Sequence, residues 1–251
     1  MEPTPVAFGF LTGVLVGLTG MGGGALMGPM LILGLGVAPL VAVGVDLVYS
    51  AVTKLVGAVI HWRRGTPDVR LTGMLLLGSV PGALTGIALL AVTRVRGSDP
   101  NLVVTKVLGM ALVIASLAML LRLFSSGRPL SGRVALDRRW FVAAGFGVGL
   151  LVGISSVGSG TVLVAFLALA TAMPSVRIVG TDLLHGALLT APAGAVHAWM
   201  GHFNLQLTLT ILAGSIPGIL LGARLSVWSP EWVLRPVLAV VLMVAGLHLI
   251  T

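Results

Sequence analysis

The chain has 251 residues, of which 57% are hydrophobic and only 9% charged. Soluble domains carry about 25% charged residues, so a water-facing coat is excluded and the bilayer is the expected solvent. The net charge is +8 and cysteine is absent, which excludes disulfides. Backbone polar groups in hydrocarbon must be satisfied internally, by helices or a closed barrel. The apolar runs lack strict alternation, so helices are expected. The arginines are scattered over short loops with no basic stripe, which argues against a nucleic-acid surface. No basic residue precedes the first apolar run, so a cleaved signal peptide is not expected.

Ten apolar segments follow in order, at 5–19, 24–36, 39–62, 69–92, 102–123, 140–154, 160–172, 175–200, 204–225 and 231–250. Most can cross a hydrocarbon core of about 30 Å, which needs about 20 helical residues. Segments 5–19 and 24–36, and likewise 140–154 and 160–172, reach only about 20–22 Å at ~1.5 Å per residue. Each short pair is joined by a turn rich in glycine or serine, Gly20-Met21-Gly22-Gly23-Gly24 or Ser155-Ser156-Val157-Gly158-Ser159-Gly160. The pair is either a re-entrant hairpin or two tilted short spans. The bland alternative is that the glycines only let helices pack closely.

The chain is also written twice. Shifted by 136 residues, Val43-Gly44-Val45-Asp46-Leu47 falls on Val179-Gly180-Thr181-Asp182-Leu183, and His61 falls on His197. Gly78-Ser79-Val80-Pro81-Gly82 falls on Gly214-Ser215-Ile216-Pro217-Gly218. A short pair that returns the chain leaves an odd number of crossings per copy, so the copies are inverted; one broken span per pair would make them parallel. The expected fold is an all-α polytopic membrane protein with two inverted-topology repeats. Each repeat has a short broken or re-entrant helix pair plus three transmembrane helices. The boundaries are 1–124 and 140–251, with 125–139 as a cytoplasmic linker.

Loops 63–70, 122–139 and 224–235 hold most of the arginines, while Arg94, Arg96 and Arg177 are expected on the opposite face. The positive-inside rule then places both termini outside.

Within the third segment, Asp46, Ser50 and Lys54 recur every four residues and share one helix face. Lys54 lies near mid-span, where a cation costs about 2.5–3.5 kcal/mol to insert. Tyr49 lies one residue around. The matching face in the second copy carries Asp182 and Thr190, with His185 beside Asp182. One central cation on a duplicated scaffold suits an anion pathway. The structural alternative is a buried ion pair of Lys54 with Asp46 or Asp182. The aspartates also read equally as caps or bend-fixers. His61 and His197 sit at helix ends, where an interface role is the simpler reading.

The turns add backbone donors. A helix N-terminus presents free N–H groups and the positive end of its dipole, and glycines let an anion approach. The candidate anion site is therefore Lys54, Tyr49, Ser50, Thr190, the first turn Gly20, Met21, Gly22, Gly23 and Gly24, and the second turn. The second turn contributes Ser155, Ser156, Gly158, Ser159, Gly160 and Thr161. Asp46, Asp182 and His185 are candidate proton carriers. No metal or other cofactor is expected. Pro81 and Pro217 read as static kinks or as hinges.

In ordered set, Gly17-Leu18-Thr19-Gly20-Met21-Gly22-Gly23-Gly24, Val43-Gly44-Val45-Asp46, His61-Trp62-Arg63-Arg64-Gly65 and Gly78-Ser79-Val80-Pro81-Gly82 resemble the TauE/SafE sulfite exporter family, also called toluene sulfonate uptake permeases. The resemblance implies a bacterial-type inner-membrane (plasma-membrane) carrier of sulfite, sulfonates or sulfoacetate-like anions. It implies protons as the coupling ion, with either export or import. Ser155, Ser156 and Ser159 stand where glycine-rich sequence is usual, and Lys54 is not a general family feature. The expected function is secondary transport of a small sulfur-containing anion by alternating access. An anion channel on the same scaffold and an intramembrane aspartyl enzyme are the alternatives.

Overall fold

A computed structural model describes residues 3–19, 25–124, 137–225 and 231–251. These residues are helical with short connections. Helix α1 spans Pro3–Thr19. A short α2, Met27–Pro29, continues as a wide π-helical turn, Met30–Gly34. Then come α3 (Pro39–Arg63), α4 (Val69–Val95) and α5 (Pro100–Phe124). The second half repeats the order with α6 (Arg138–Ser155), α7 (Val162–Ala170), α8 (Ser175–Trp199), α9 (Leu205–Leu225) and α10 (Glu231–Ile250). Among the described residues, five helices are long and apolar enough to cross a membrane: α3, α4, α5, α6 and α9.

The short pairs are less even than the sequence suggests. Helix α6 has 18 residues, about 27 Å at 1.5 Å per residue, so by length it can span. Its partner α7 has nine residues, about 14 Å. Each pair is therefore one long arm and one short return arm. The turn Gly20–Gly24 lies outside the described residues.

Helices pair across the two halves: α1 with α9, α4 with α6, α3 with α8 and α5 with α10. Exchanging the halves maps this set onto itself. Small residues set the direction of each pair. Gly9, Gly13 and Gly17 press against Ile211, Ser215 and Ile219, so α1 and α9 run parallel. Gly145, Gly149 and Gly153 press against Leu75, Ser79 and Ala83, so α4 and α6 are parallel too. At every one of these positions a Cβ would overlap a backbone carbonyl of the partner helix. That is how small residues bring membrane helices together. The self-paired helices run the other way. Gly57 meets Leu183, while Gly194 meets Leu47 and Val48, so α3 and α8 are antiparallel. Gly109 meets Gly246, and Ser116 Oγ donates to the Ala239 carbonyl at 2.6 Å, so α5 and α10 are antiparallel as well.

The connection after α3 sits on the start of α8, where Gly180 faces His61, Thr66 and Pro67. Reciprocally, the loop after α8 sits on the start of α3, where Gly44 faces the His202 carbonyl and His197. Arg177, at the start of α8, pairs with Asp68 at 3.3 Å. Arg177 thus shares the face of Arg63, Arg64 and Arg70, which corrects its expected place opposite them. The cause is the return arm: α8 runs the same way as α6, so its start lies where α6 started.

Apolar and polar residues are distributed inside out. Leu77, Leu84, Leu220 and Val244 are exposed on the outer helices, as lipid requires, while Asp46, Lys54, Asp182 and His185 are buried. Val43, Leu47, Leu75, Val152, Leu163 and Leu189 form the main apolar core around that polar centre.

Candidate functional site

The polar centre forms where α3 crosses α8, against the turn between α6 and α7. Asp46, Ser50 and Lys54 share one face of α3, as their spacing requires, and all are at most 1% exposed. Asp182, His185 and Thr190 come from α8 and are also buried.

The turn is shaped by its φ angles. Ser156 takes φ 61°, Gly158 φ 146° and Gly160 φ 97°. An L side chain rarely adopts such values, so Ser156 needs a holding contact. Its Oγ supplies one, donating to Asp46 Oδ2 at 2.5 Å. Asp46 Oδ1 accepts a second bond from Ser50 Oγ at 3.3 Å. Four residues further along the turn, the Gly160 N–H donates to Asp182 Oδ1 at 2.8 Å. Between these two anchors, Lys54 Nζ donates to Ser159 Oγ. Asp46, Ser50, Lys54, Ser156, Ser159, Gly160 and Asp182 therefore form one connected set.

This arrangement revises several expectations. Lys54 is in ion-pair contact with neither aspartate: the described ion pairs are Arg139–Asp137 and Arg177–Asp68. Both carboxylates lie within electrostatic reach of its charge all the same. An ammonium has three donors, and among the described residues Ser159 takes one of them. The aspartates cap no helix of their own, because each lies about two turns inside α3 or α8. They bind the turn instead. The N–H groups expected to stand open to an anion are partly occupied: Asp182 holds the Gly160 N–H from within.

Other predicted residues spend their groups locally. Ser155 Oγ donates to the Leu151 carbonyl and Thr190 Oγ1 to the Gly186 carbonyl, both at 2.8 Å. Three are left with an unpartnered buried atom: the Tyr49 hydroxyl, Thr161 Oγ1 and His185 Nδ1. Buried polar groups are nearly always paired, so these three are exceptions; of them, His185 lies within electrostatic reach of the Lys54 ammonium. The predicted Gly20, Met21, Gly22, Gly23 and Gly24 lie outside the described residues.

Two site residues escaped the sequence reading. His185 Nε2 lies 2.8 Å from Ser79 Oγ on α4. At the equivalent place Tyr49 lies beside Ser215 on α9 without forming a full hydrogen bond. Both serines come from the repeated Gly-Ser-x-Pro-Gly, where the proline drew attention and the serine did not. Helices α4 and α9 continue through Pro81 and Pro217. The flanking glycines of the motif seat α6 and α1, and the serine faces the centre.

A polar, singly cationic centre enclosed by apolar helices defines a membrane transport protein. The family model described as "Sulfite exporter TauE/SafE" matches residues 6–249. The chain belongs to the TauE/SafE sulfite exporter family. It is 36% identical over 262 residues to "Probable membrane transporter protein YjnA" of Bacillus subtilis (strain 168), covering 100% of both chains. Two further proteins of that organism are more distant. "Probable membrane transporter protein YunE" is 24% identical over 269 residues, with 98% of this chain and 96% of the relative covered. "Probable membrane transporter protein YdhB" is 23% identical over 243 residues, with 96% and 97% covered. No solved structure matches.

Proposed function

We propose that this chain is a secondary transporter that moves a small sulfur-containing anion, such as sulfite, a sulfonate or a sulfoacetate-like compound, across the plasma membrane by alternating access with proton coupling. The observation that carries the reading is Lys54: a buried ammonium at mid-span, bonded to the α6–α7 turn and not neutralised by an ion pair. An intramembrane cation is costly unless it serves a substrate or a partner.

In this reading the repeats, 1–124 and 140–251, are inverted about an axis in the membrane plane. The support is directional: helices related by such an axis run antiparallel, as α3 and α8 do and as α5 and α10 do. An axis along the membrane normal would make each of these pairs parallel. Arg177 beside Asp68 adds one more arginine to the richer face, which strengthens the assignment of that face to the cytoplasm. Both termini are then outside.

Coupling follows from competition for donors. Asp46 and Asp182 occupy the Ser156 hydroxyl and the Gly160 N–H, which are groups an oxyanion would use. A protonated carboxyl is a weaker acceptor than a carboxylate. A proton on either aspartate therefore frees a donor for the anion, and removes a like charge beside it. Proton and anion enter together. His185, beside Asp182, completes the set of proton carriers.

The test is a thermal-shift screen of purified protein against sulfite, sulfate, thiosulfate, sulfoacetate, taurine and carboxylate controls, followed by flux in proteoliposomes. Sulfur oxyanions should stabilise the wild type, and Lys54→Ala should abolish both stabilisation and flux. Stabilisation by carboxylates alone would sink the substrate class, and undiminished flux in Lys54→Ala would remove Lys54 from the site. Flux that neither saturates nor shows competition would favour a channel.

A further inference from the structure

The unpartnered buried side-chain atoms among the described residues fall into two groups. One is made of candidate site residues on α3, α8 and the α6–α7 turn: Tyr49, His185 and Thr161. The other is His197 Nδ1 with both ring nitrogens of His202.

His197 ends α8 and is fully buried, and His202 follows in the α8–α9 loop at 9% exposed. His197 Nε2 lies 2.9 Å from the Gly153 carbonyl. A carbonyl only accepts, so Nε2 carries the hydrogen and Nδ1 is left as a bare lone pair. An imidazole fixed through one N–H to a backbone carbonyl, with its other nitrogen open, is the arrangement of a metal-ligating histidine. The His202 ring centre is 5.6 Å from that of His197, with the planes at 53°. Two imidazoles on one tetrahedral ion, with metal–nitrogen distances of about 2.0–2.1 Å, place their ring centres roughly 5 Å apart.

The duplication supplies an internal control. In the first copy His61 stands where His197 does, and Thr66 stands where His202 does. There the His61 Nδ1 is satisfied by Thr66 Oγ1 at 2.8 Å. Putting histidine in place of that threonine removes the hydroxyl partner and leaves three ring nitrogens without a hydrogen-bond partner.

We infer that His197 and His202 form a binding site for a borderline divalent transition-metal ion of the Zn2+ type, with water completing the coordination, on the face that carries Arg94. The ion would bind between the end of α8 and its following loop, against Gly44 at the start of α3, and so restrain the α3–α8 crossing. Arg94 opposes a cation, so Arg94→Gln should tighten the site.

The test uses the full chain in detergent, near neutral pH. ZnCl2 should give saturable stabilisation with one ion per chain in calorimetry. His202→Thr rebuilds the pairing that His61 and Thr66 already make in this molecule, and should weaken binding at least tenfold. His61→Gln and His248→Gln should leave it unchanged. Electron paramagnetic resonance of the unmutated protein with Cu2+ should show coupling to two imidazole nitrogens, a readout that depends on no variant. The inference is overturned if Zn2+ binding does not saturate, if His202→Thr retains it, if either control variant loses it, or if the Cu2+ spectrum shows fewer than two nitrogens. None of these outcomes bears on Lys54→Ala or anion binding, so the two readings fail separately.

Discussion

Ser156 combines a strained backbone with a strong bond, and two substitutions separate them. Its φ of 61° makes it the one non-glycine residue with positive φ among the described residues. That conformation costs an L residue about 1 kcal/mol or somewhat more. The Oγ bond to Asp46 Oδ2 at 2.5 Å opposes the cost, since a buried hydrogen bond to a charged group contributes about 1.5–3 kcal/mol. Ser156→Ala removes the bond and keeps the strain, so a loss of roughly 2 kcal/mol is expected. Ser156→Gly removes both, and the recovered backbone term of about 1 kcal/mol should halve that loss. For a chain of this length, 1 kcal/mol corresponds to roughly 2–4 °C in Tm. The melts can be followed by tryptophan fluorescence in detergent, and an Asp46→Asn background should shrink the serine-to-alanine difference. A glycine variant no more stable than the alanine variant would refute the strain term. An alanine variant with wild-type Tm would show that Asp46 does not hold the turn.

Helix α6 offers a paired comparison two residues apart. A Cβ at Gly149 would overlap backbone atoms of Ser79, whereas Gly147 has nothing within 4 Å; Gly149→Ala should therefore destabilise by about 1–3 kcal/mol, and Gly147→Ala should stabilise by about 0.5–1 kcal/mol, both read as Tm. Ser79→Ala leaves His185 Nε2 without its partner and should cost about 1–3 kcal/mol. Its mate Ser215→Ala breaks no full bond to Tyr49 and should cost clearly less, and equal losses would contradict the asymmetry. His202 has its folded value below its unfolded one, so its stabilising contribution is complete above the ordinary histidine value of about 6.5 and is lost as pH falls towards the folded value. The Tm should decline over that window, and His202→Thr should flatten the decline.

The helices were legible because Arg, Gly and Pro separate the apolar runs, and Lys54 stood out because a mid-span cation is costly to insert. Contacts between distant residues were not. Ser159 and Lys54 are 105 residues apart, and no spacing rule joins them. The spacing of Asp46, Ser50 and Lys54 placed them on one face but could not show that the face grips a turn from the other half. The cap and bend-fixing readings of the aspartates, held beside their role as proton carriers, arose because the start of their helices was visible and the α6–α7 turn beside them was not. Arg177 was misplaced although a returning pair at 140–172 already implies that α8 begins on the face where α6 begins; the Arg177–Asp68 contact makes that plain. Ser79 was overlooked because a proline two residues on supplied a sufficient reason for the motif.

A perfect duplication would present each buried group twice about the axis, and a symmetric centre cannot prefer one cation position. Here the symmetry breaks at the positions that face the crossing: Lys54 against Thr190, and Tyr49 against His185. The consequence is mechanical as well as electrostatic. Helix α3 holds the α6–α7 turn through Asp46 and Lys54, while α8 holds it through Asp182. Both self-paired helices therefore grip one turn, and α3 cannot slide along α8 without straining or breaking one of those bonds. In the proposed transport cycle, an anion taking over Lys54, or a proton weakening either aspartate's grip, would act on the contact that restrains the crossing. Under that proposal ligand and proton would bias the same element, which is what coupling between them requires.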